Sequence, residues 1–432
     1  MNEEFEEFPA AAGNGAGAGD VSAMVDHLFR NRAGQMVSYL TRLLGPQHLE
    51  LAEEVVQEAL IKALQRWPHT GVPENPAAWL FQVARNAALD AVRRNSLFSE
   101  KQPALVAELE RAVSPAMDLS GADLRDDELR MIFMCCHPAL SRNACVPLSL
   151  KTVGGFSVTE IARALLADET AIAQRLVRAK KQIRESGISF ELPVGAALAE
   201  RLDTVLETIY LMFNEGYAAH SGEDLIRLDL CGEALRLGRL IADSGVTQPR
   251  VHALVALMAF QAARLPARVD ELGDIVLLEE QDRGRWDQRL IALGFQHFGK
   301  SAEGEEISEY HIQAAIAAVH ARAQTAERTD WREILALYDD LLAVNDSPVV
   351  GLNRAVAVSR VHGAEAGLAE LEALANQAAL RSYYLLPAVR GHLLMDLGRM
   401  EEAAFALREA MGMPCSEPER RFLRRKLEEC GE

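Results

Sequence analysis

The sequence is poor in the features that mark sheet proteins, membrane spans and catalysts. Aromatic residues make up 6% of its 432 residues. No stretch sustains a period-2 alternation of β-branched side chains, so strands are not expected. No apolar run approaches the roughly 20 residues that a bilayer span needs, and no membrane partner is expected. Met1 to Gly19 is acidic and then Gly/Ala-rich, without the basic start of a signal peptide. Residues 1–22 therefore read as a disordered tail and the protein as cytoplasmic. The six cysteines form no C-x-x-C pair, and no H-x-x-x-H completes a tetrahedral set. Cys135, Cys136 and Cys145, close to His137, read as small buried thiols of a reducing compartment rather than metal ligands. A Walker loop, G-x-G-x-x-G, H-E-x-x-H and G-x-S-x-G are all missing. Isolated histidines such as His220, His252 and His392 do not replace them. Neither an enzyme nor a cofactor is expected.

What is present favours helix. Ala, Leu, Arg and Glu dominate, and helical periodicity runs through nearly the whole chain, so the fold class is all-α. The formal charge of −18 is uneven: residues 1–187 carry a small negative excess and residues 188–432 hold most of it. That balance excludes indiscriminate coating of nucleic acid but leaves room for local basic patches. A helical domain is expected at 23–96, a Pro-containing linker at 97–122, and a second helical domain at 123–187. A helical extension at 188–432 completes the chain.

Two segments carry chemistry. In Gly155–Leu165, Ser157 precedes Glu160 at capping-box spacing, and Ile161 and Leu165 give a short helix an apolar stripe. A break follows, then a helix from about Glu169 to Arg184 with Ile172, Leu176, Ala179 and Ile183 on one face. Gln174, Arg175, Arg178, Lys181 and Gln182 fall away from that face. A short helix, a turn and a longer basic helix can seat the second helix in the DNA major groove. Arg and Gln there read base edges while Lys neutralises phosphates. An ordinary helical hairpin with a solvated basic face has the same pattern. Leu166 stands where many such turns carry Gly, at a cost of about 1 kcal/mol if that position is left-handed.

Upstream, Leu51–Leu64 is amphipathic. Val56, Leu60, Ala63 and Trp67 form one buried stripe. Glu54 and Glu58 lie one turn apart on an outer face, as do Glu53 and Gln57. Next, in Asn75–Arg94, Trp79, Leu80, Val83, Ala87 and Val92 supply the core. Arg85, Asn86, Asp90, Arg93 and Arg94 form a polar face.

The acidic V-Q-E helix followed by P-x-x-W-L-x-x-V-A-R-N-x-x-x-D-x-x-R-R resembles region 2 of sigma-70 family factors of the extracytoplasmic-function (ECF) type. Gly155–Arg184, with its R-x-x-R-A-K-K-x-I-R-E ending, resembles their region 4. The resemblance covers about residues 24–186. It implies that Glu53, Glu54, Gln57 and Glu58 dock on core RNA polymerase. It places Asn86, Asp90, Arg93 and Arg94 at the single-stranded −10 element, and Gln174, Arg175, Arg178 and Lys181 at the −35 duplex of promoter DNA.

The extension resembles that of the group with tetratricopeptide-like (TPR-like) repeats. Gly363 and Gly398 lie about 35 residues apart between Ala/Leu-rich helices, over roughly 330–425. Such repeats offer a concave surface to a protein or peptide ligand. Tyr210–Tyr217 reads as a helix stopped at Gly216. Asn214, Glu215, Gly216 and Tyr217 either close that helix around a packed tyrosine or contact the sigma domains. An activator joining a helix-turn-helix to a repeat sensor would explain Gly155–Glu432, but would leave Glu53–Arg94 without a purpose.

Overall fold

The computed structural model describes residues 32–94, 122–165, 167–217, 227–271, 273–375, 377, 380–381 and 383–431. The expected tail, nearly all of the expected linker and Leu166 lie outside them. Among the described residues the chain is all-α. The only pairing of extended backbone there is an isolated antiparallel bridge between Val269 and Ile275. No described helix is long and apolar enough to cross a membrane. The chain divides into two compact units, Met1–Arg163 with Ala167–Val205, and Leu206–Glu432 with Ala164–Leu166.

The first unit begins with α1 (32–44), α2 (Leu49–Thr70) and α3 (Pro76–Arg94). Val56, Leu60, Ala63 and Trp67 are all buried along α2, as the 3.6-residue period requires. The Trp67 indole meets Trp79 edge-on at 5.5 Å, which locks α2 to α3. Pro76 opens α3 with its fixed φ, and the Asn75 side chain accepts from the Ala78 amide at 3.0 Å.

The second group in this unit is α4 (Ala122–Cys135), α5 (Arg142–Thr152), α6 (Val158–Ala164) and α7 (Glu169–Glu185). Met131, Ile132, Phe133 and Met134 are nearly inaccessible to solvent. Cys135, Cys136 and Cys145 are buried with them as free thiols. The Cys135 sulfur lies 3.2 Å from the Thr152 hydroxyl, and burial pushes its pKa up to about 12. It is therefore a protonated packing group at neutral pH.

The boundary between the units falls within α8 (Ala196–Tyr217). The second unit continues through α9 (Leu228–Ala242), α10 (Pro249–Ala263), α11 (Gln288–Ser301) and α12 (Glu309–Arg322). Helix α10 is apolar on nearly every side, with Val251 to Phe260 all buried. It therefore forms the centre, and α9, α11 and α12 pack around it.

Six more helices follow: α13 (Trp331–Val344), α14 (Pro348–His362), α15 (Ala364–Leu374), α16 (Leu385–Asp396), α17 (Met400–Met411) and α18 (Glu417–Glu429). Each packs on the next, and left-handed turns at Gly363 and Gly398 end two of the helical segments. Leu352, Leu368, Leu371, Leu393, Leu394, Ala403 and Ala406 join four consecutive helices, α14 to α17, into one core.

Candidate functional site

The capping box expected from the sequence starts α6. The Ser157 amide donates to a Glu160 carboxylate oxygen at 2.8 Å, and the Glu160 amide donates to the Ser157 hydroxyl at 3.1 Å. Helix α7 starts from a second cap, with Asp168 accepting from the Ala171 amide at 3.1 Å. Ile172, Leu176, Ala179 and Ile183 are buried, and Gln174, Arg175, Arg178 and Lys181 are exposed together on the other side. The Arg178 guanidinium reaches Gln174 at 3.5 Å, and Lys181 lies 3.8 Å from Glu185. Both contacts are surface interactions worth little energy, so these side chains can turn to a partner at small cost.

On α3, Asn86, Asp90, Arg93 and Arg94 are all exposed, at spacings that put them on one side of the helix. Arg85 donates to Asn86 at 3.0 Å, and Arg94 donates to the Asp90 carbonyl at 3.1 Å. The face thus presents two outward guanidinium groups at a helix C-terminus.

Helix α2 departs from expectation in one respect. Glu54, Gln57 and Glu58 are exposed, and Glu58 pairs with Lys62 at 2.6 Å. Ile61 and Leu64 add exposed apolar area one turn further on. Glu53, read as sharing an outer face with Gln57, is instead buried and ion-paired with Lys180 of α7. Both side chains are less than 15% exposed. Lys151 feels the charges of both, and burial holds its pKa below the usual lysine range. The reason for the departure is tertiary: α7 lies against this part of α2.

Three further contacts tie the same two helical groups together. Glu50 meets Arg184 at 3.1 Å. Arg42 meets the buried Asp127 at 2.9 Å, and Arg130 reaches the other oxygen of that carboxylate. Burial raises the Asp127 pKa against the pull of both arginines. At Gly34 a Cβ would collide with the Val153 backbone carbonyl, so α1 can lie this close only with glycine there.

In the second unit, Gly216 is not the helix stop that the sequence suggested. Helix α8 runs through it to Tyr217. A Cβ on Gly216 would lie 2.8 Å from the Arg227 carbonyl and the Cys231 amide, and the Gly216 carbonyl accepts from the Arg227 amide at 2.7 Å. Close approach of α9, rather than a left-handed cap, explains this glycine. Tyr217 stacks on Phe213 and lies under the Arg268 guanidinium at 3.9 Å. Asn214 bonds the Tyr210 hydroxyl, which itself donates to Gln313 at 2.6 Å. Asn214 and Tyr217 thus have partners inside the extension, and Glu215 lies beside them half-buried. Among the described residues, no cluster of three His, Cys, Asp or Glu side chains is placed to hold a metal ion.

Comparison with known proteins adds three findings. Residues 28–98 match Sigma-70 region 2, and residues 201–302 match a family of unknown function, DUF6596. The chain is 44% identical over 384 residues to the uncharacterized protein R00370 of Rhizobium meliloti strain 1021, covering 88% of this chain and 90% of that one. No solved structure matches it.

Proposed function

We propose that this chain, which belongs to one family with the Rhizobium protein along most of its length and matches Sigma-70 region 2 over residues 28–98, is an ECF-type sigma factor. It would bind core RNA polymerase, direct −10 and −35 recognition, and carry a TPR-like extension that regulates or supports that activity. The observation that carries this reading is the order of three exposed faces. Glu54, Gln57 and Glu58 come first, then Asn86, Asp90, Arg93 and Arg94, then Gln174, Arg175, Arg178 and Lys181. An acidic face with exposed Ile61 and Leu64 suits a basic polymerase surface. The polar face of α3 suits captured single strand, and α7 suits the major groove.

Under this reading Asn214, Glu215, Gly216 and Tyr217 serve the extension, and a protein or peptide ligand occupies the repeat surface. The expected result is that the protein assembles with core polymerase in native gels and does not shift promoter duplex by itself. Tight duplex binding without polymerase, and no assembly, would instead favour the helix-turn-helix activator.

The contact between α2 and α7 has a consequence for this mechanism. Elements centred at −10 and −35 are about 85 Å apart along B-form DNA at 3.4 Å per base pair, whereas Lys180 touches Glu53. Both elements can be engaged together only if the two helical groups separate. Lys180→Met leaves the buried Glu53 without its partner, a loss of about 1–3 kcal/mol in the closed arrangement. Core affinity therefore rises, by about tenfold, because the closed state no longer competes as well. Titrating labelled core enzyme with each protein measures it; unchanged affinity would mean that the contact survives in the holoenzyme.

A further inference from the structure

We infer that the second unit binds a small-molecule anion, bearing carboxylate or phosphate, at a cluster of arginines that, among the described residues, forms no ion pair with a carboxylate. The guanidinium groups of Arg264 and Arg283 lie 5.6 Å and 4.8 Å from the Trp286 indole ring. Arg283 donates to the His320 and Ala323 carbonyls at 2.5 Å and 2.7 Å, and to the Thr329 hydroxyl at 2.9 Å. The polar partner of Arg264 is Gln281, at 3.4 Å. Arg268, nearby, donates to the Tyr217 carbonyl. Among the described residues none of these three arginines has a carboxylate within ion-pair distance. Glu327, whose charge reaches Arg283, is exposed.

The cluster also leaves buried hydrogen-bonding capacity unused. The Arg283 Nε, the Trp286 Nε1 and the His320 Nδ1 are all buried without a partner. Two of these are obligate donors, and Arg264 adds more N–H groups than Gln281 can satisfy. Unpaired buried donors of this kind are costly unless an acceptor fills the space, and an oxyanion offers several acceptor lone pairs at once. Burial, with help from Arg264 and Arg283, lowers the His320 pKa to about 3, so the ring adds no positive charge at neutral pH.

An open surface groove adjoins the cluster through Thr329; Glu327, Arg328, Asp330, Trp331, Arg332 and Arg360 also line it. Thr329 is the residue bonded to Arg283, and the Trp331 ring meets His320 edge-on at 5.4 Å. The Asp330 carboxylate caps α13 through the Glu333 amide at 3.1 Å, and Arg360 is paired with Glu279 at 2.5 Å. Arg332 is exposed at the rim. A small ligand lying in this groove would turn its anionic end towards Thr329 and the arginines behind it.

The test is thermal unfolding of the full chain, titrated with sodium phosphate or sodium acetate against sodium chloride at equal ionic strength. At least one oxyanion gives a saturating rise in Tm. A response to phosphate alone identifies a phosphoryl ligand, and a response to acetate alone a carboxylate. Arg264→Gln weakens the half-saturation point at least about tenfold, the worth of one charge-assisted hydrogen bond. Arg332→Gln, a surface change that keeps the fold, weakens it several-fold and decides the matter if Arg264→Gln does not fold. General salting effects are non-saturating and common to all variants. No saturating response to either anion, as expected if water alone fills the cluster, would overturn the proposal. So would equal responses in the parent and the folded variants. The readout is binding and is independent of polymerase, so its failure leaves the sigma-factor reading standing.

Discussion

A chain carrying Arg175→Ala and Arg178→Ala loses about 100-fold or more of its promoter-directed transcription, yet assembles with core polymerase as the parent does. Both side chains are exposed on α7, opposite the buried Ile172, Leu176, Ala179 and Ile183. Their removal therefore costs the fold little. A guanidinium that reads a guanine edge is worth about 1–3 kcal/mol, and one that meets phosphate weakens all sequences alike. The two arginines lie one turn apart, so their effects need not add. The loss is read by transcription from the intact promoter beside one with a scrambled −35 element. If the double variant retains full discrimination, base reading lies elsewhere on α7 or beyond it.

The second large effect concerns α2. Reversing two charges in Glu54→Lys with Glu58→Lys lowers core-polymerase affinity about 100-fold or more. Like charges placed against a basic partner cost several kcal/mol. Both residues are exposed, and the Glu58–Lys62 pair is a surface pair worth about 0–1 kcal/mol, so Tm and far-UV circular dichroism stay as in the parent. The deficit grows as salt is lowered, because screening weakens the repulsion. Titration of labelled core enzyme at two ionic strengths checks both points. A stable variant with parental affinity would remove this face from the docking surface.

The features legible in the sequence were local ones. The stripes of α2 and α7 followed from the 3.6-residue period, and all eight stripe residues named for them are buried. The Ser157–Glu160 cap followed from a fixed spacing of three. Asn86, Asp90, Arg93 and Arg94 followed from their distance from the α3 core.

The features that were missed depend on distant chain. Glu53 sits beside Glu54 in a charged run, and nothing in that run marks it for burial; its partner Lys180 is 127 residues away. Gly216 carried two meanings, a left-handed cap or a close approach, and the deciding neighbour, Arg227, lies eleven residues on. Arg264, Arg283 and His320 follow no period, because they come from loops and helix ends gathered around Trp286. Tertiary contacts set the electrostatics at all these places, and helical periodicity carries no record of them.

The most direct measurement is run-off transcription with core RNA polymerase, the full chain, and the promoter region of its own gene. The sigma-factor account predicts initiation that depends on the added protein, at a defined start site, and that disappears with the Glu54→Lys and Glu58→Lys chain. No initiation from core enzyme and folded protein, together with tight binding of the protein alone to the duplex, would contradict it.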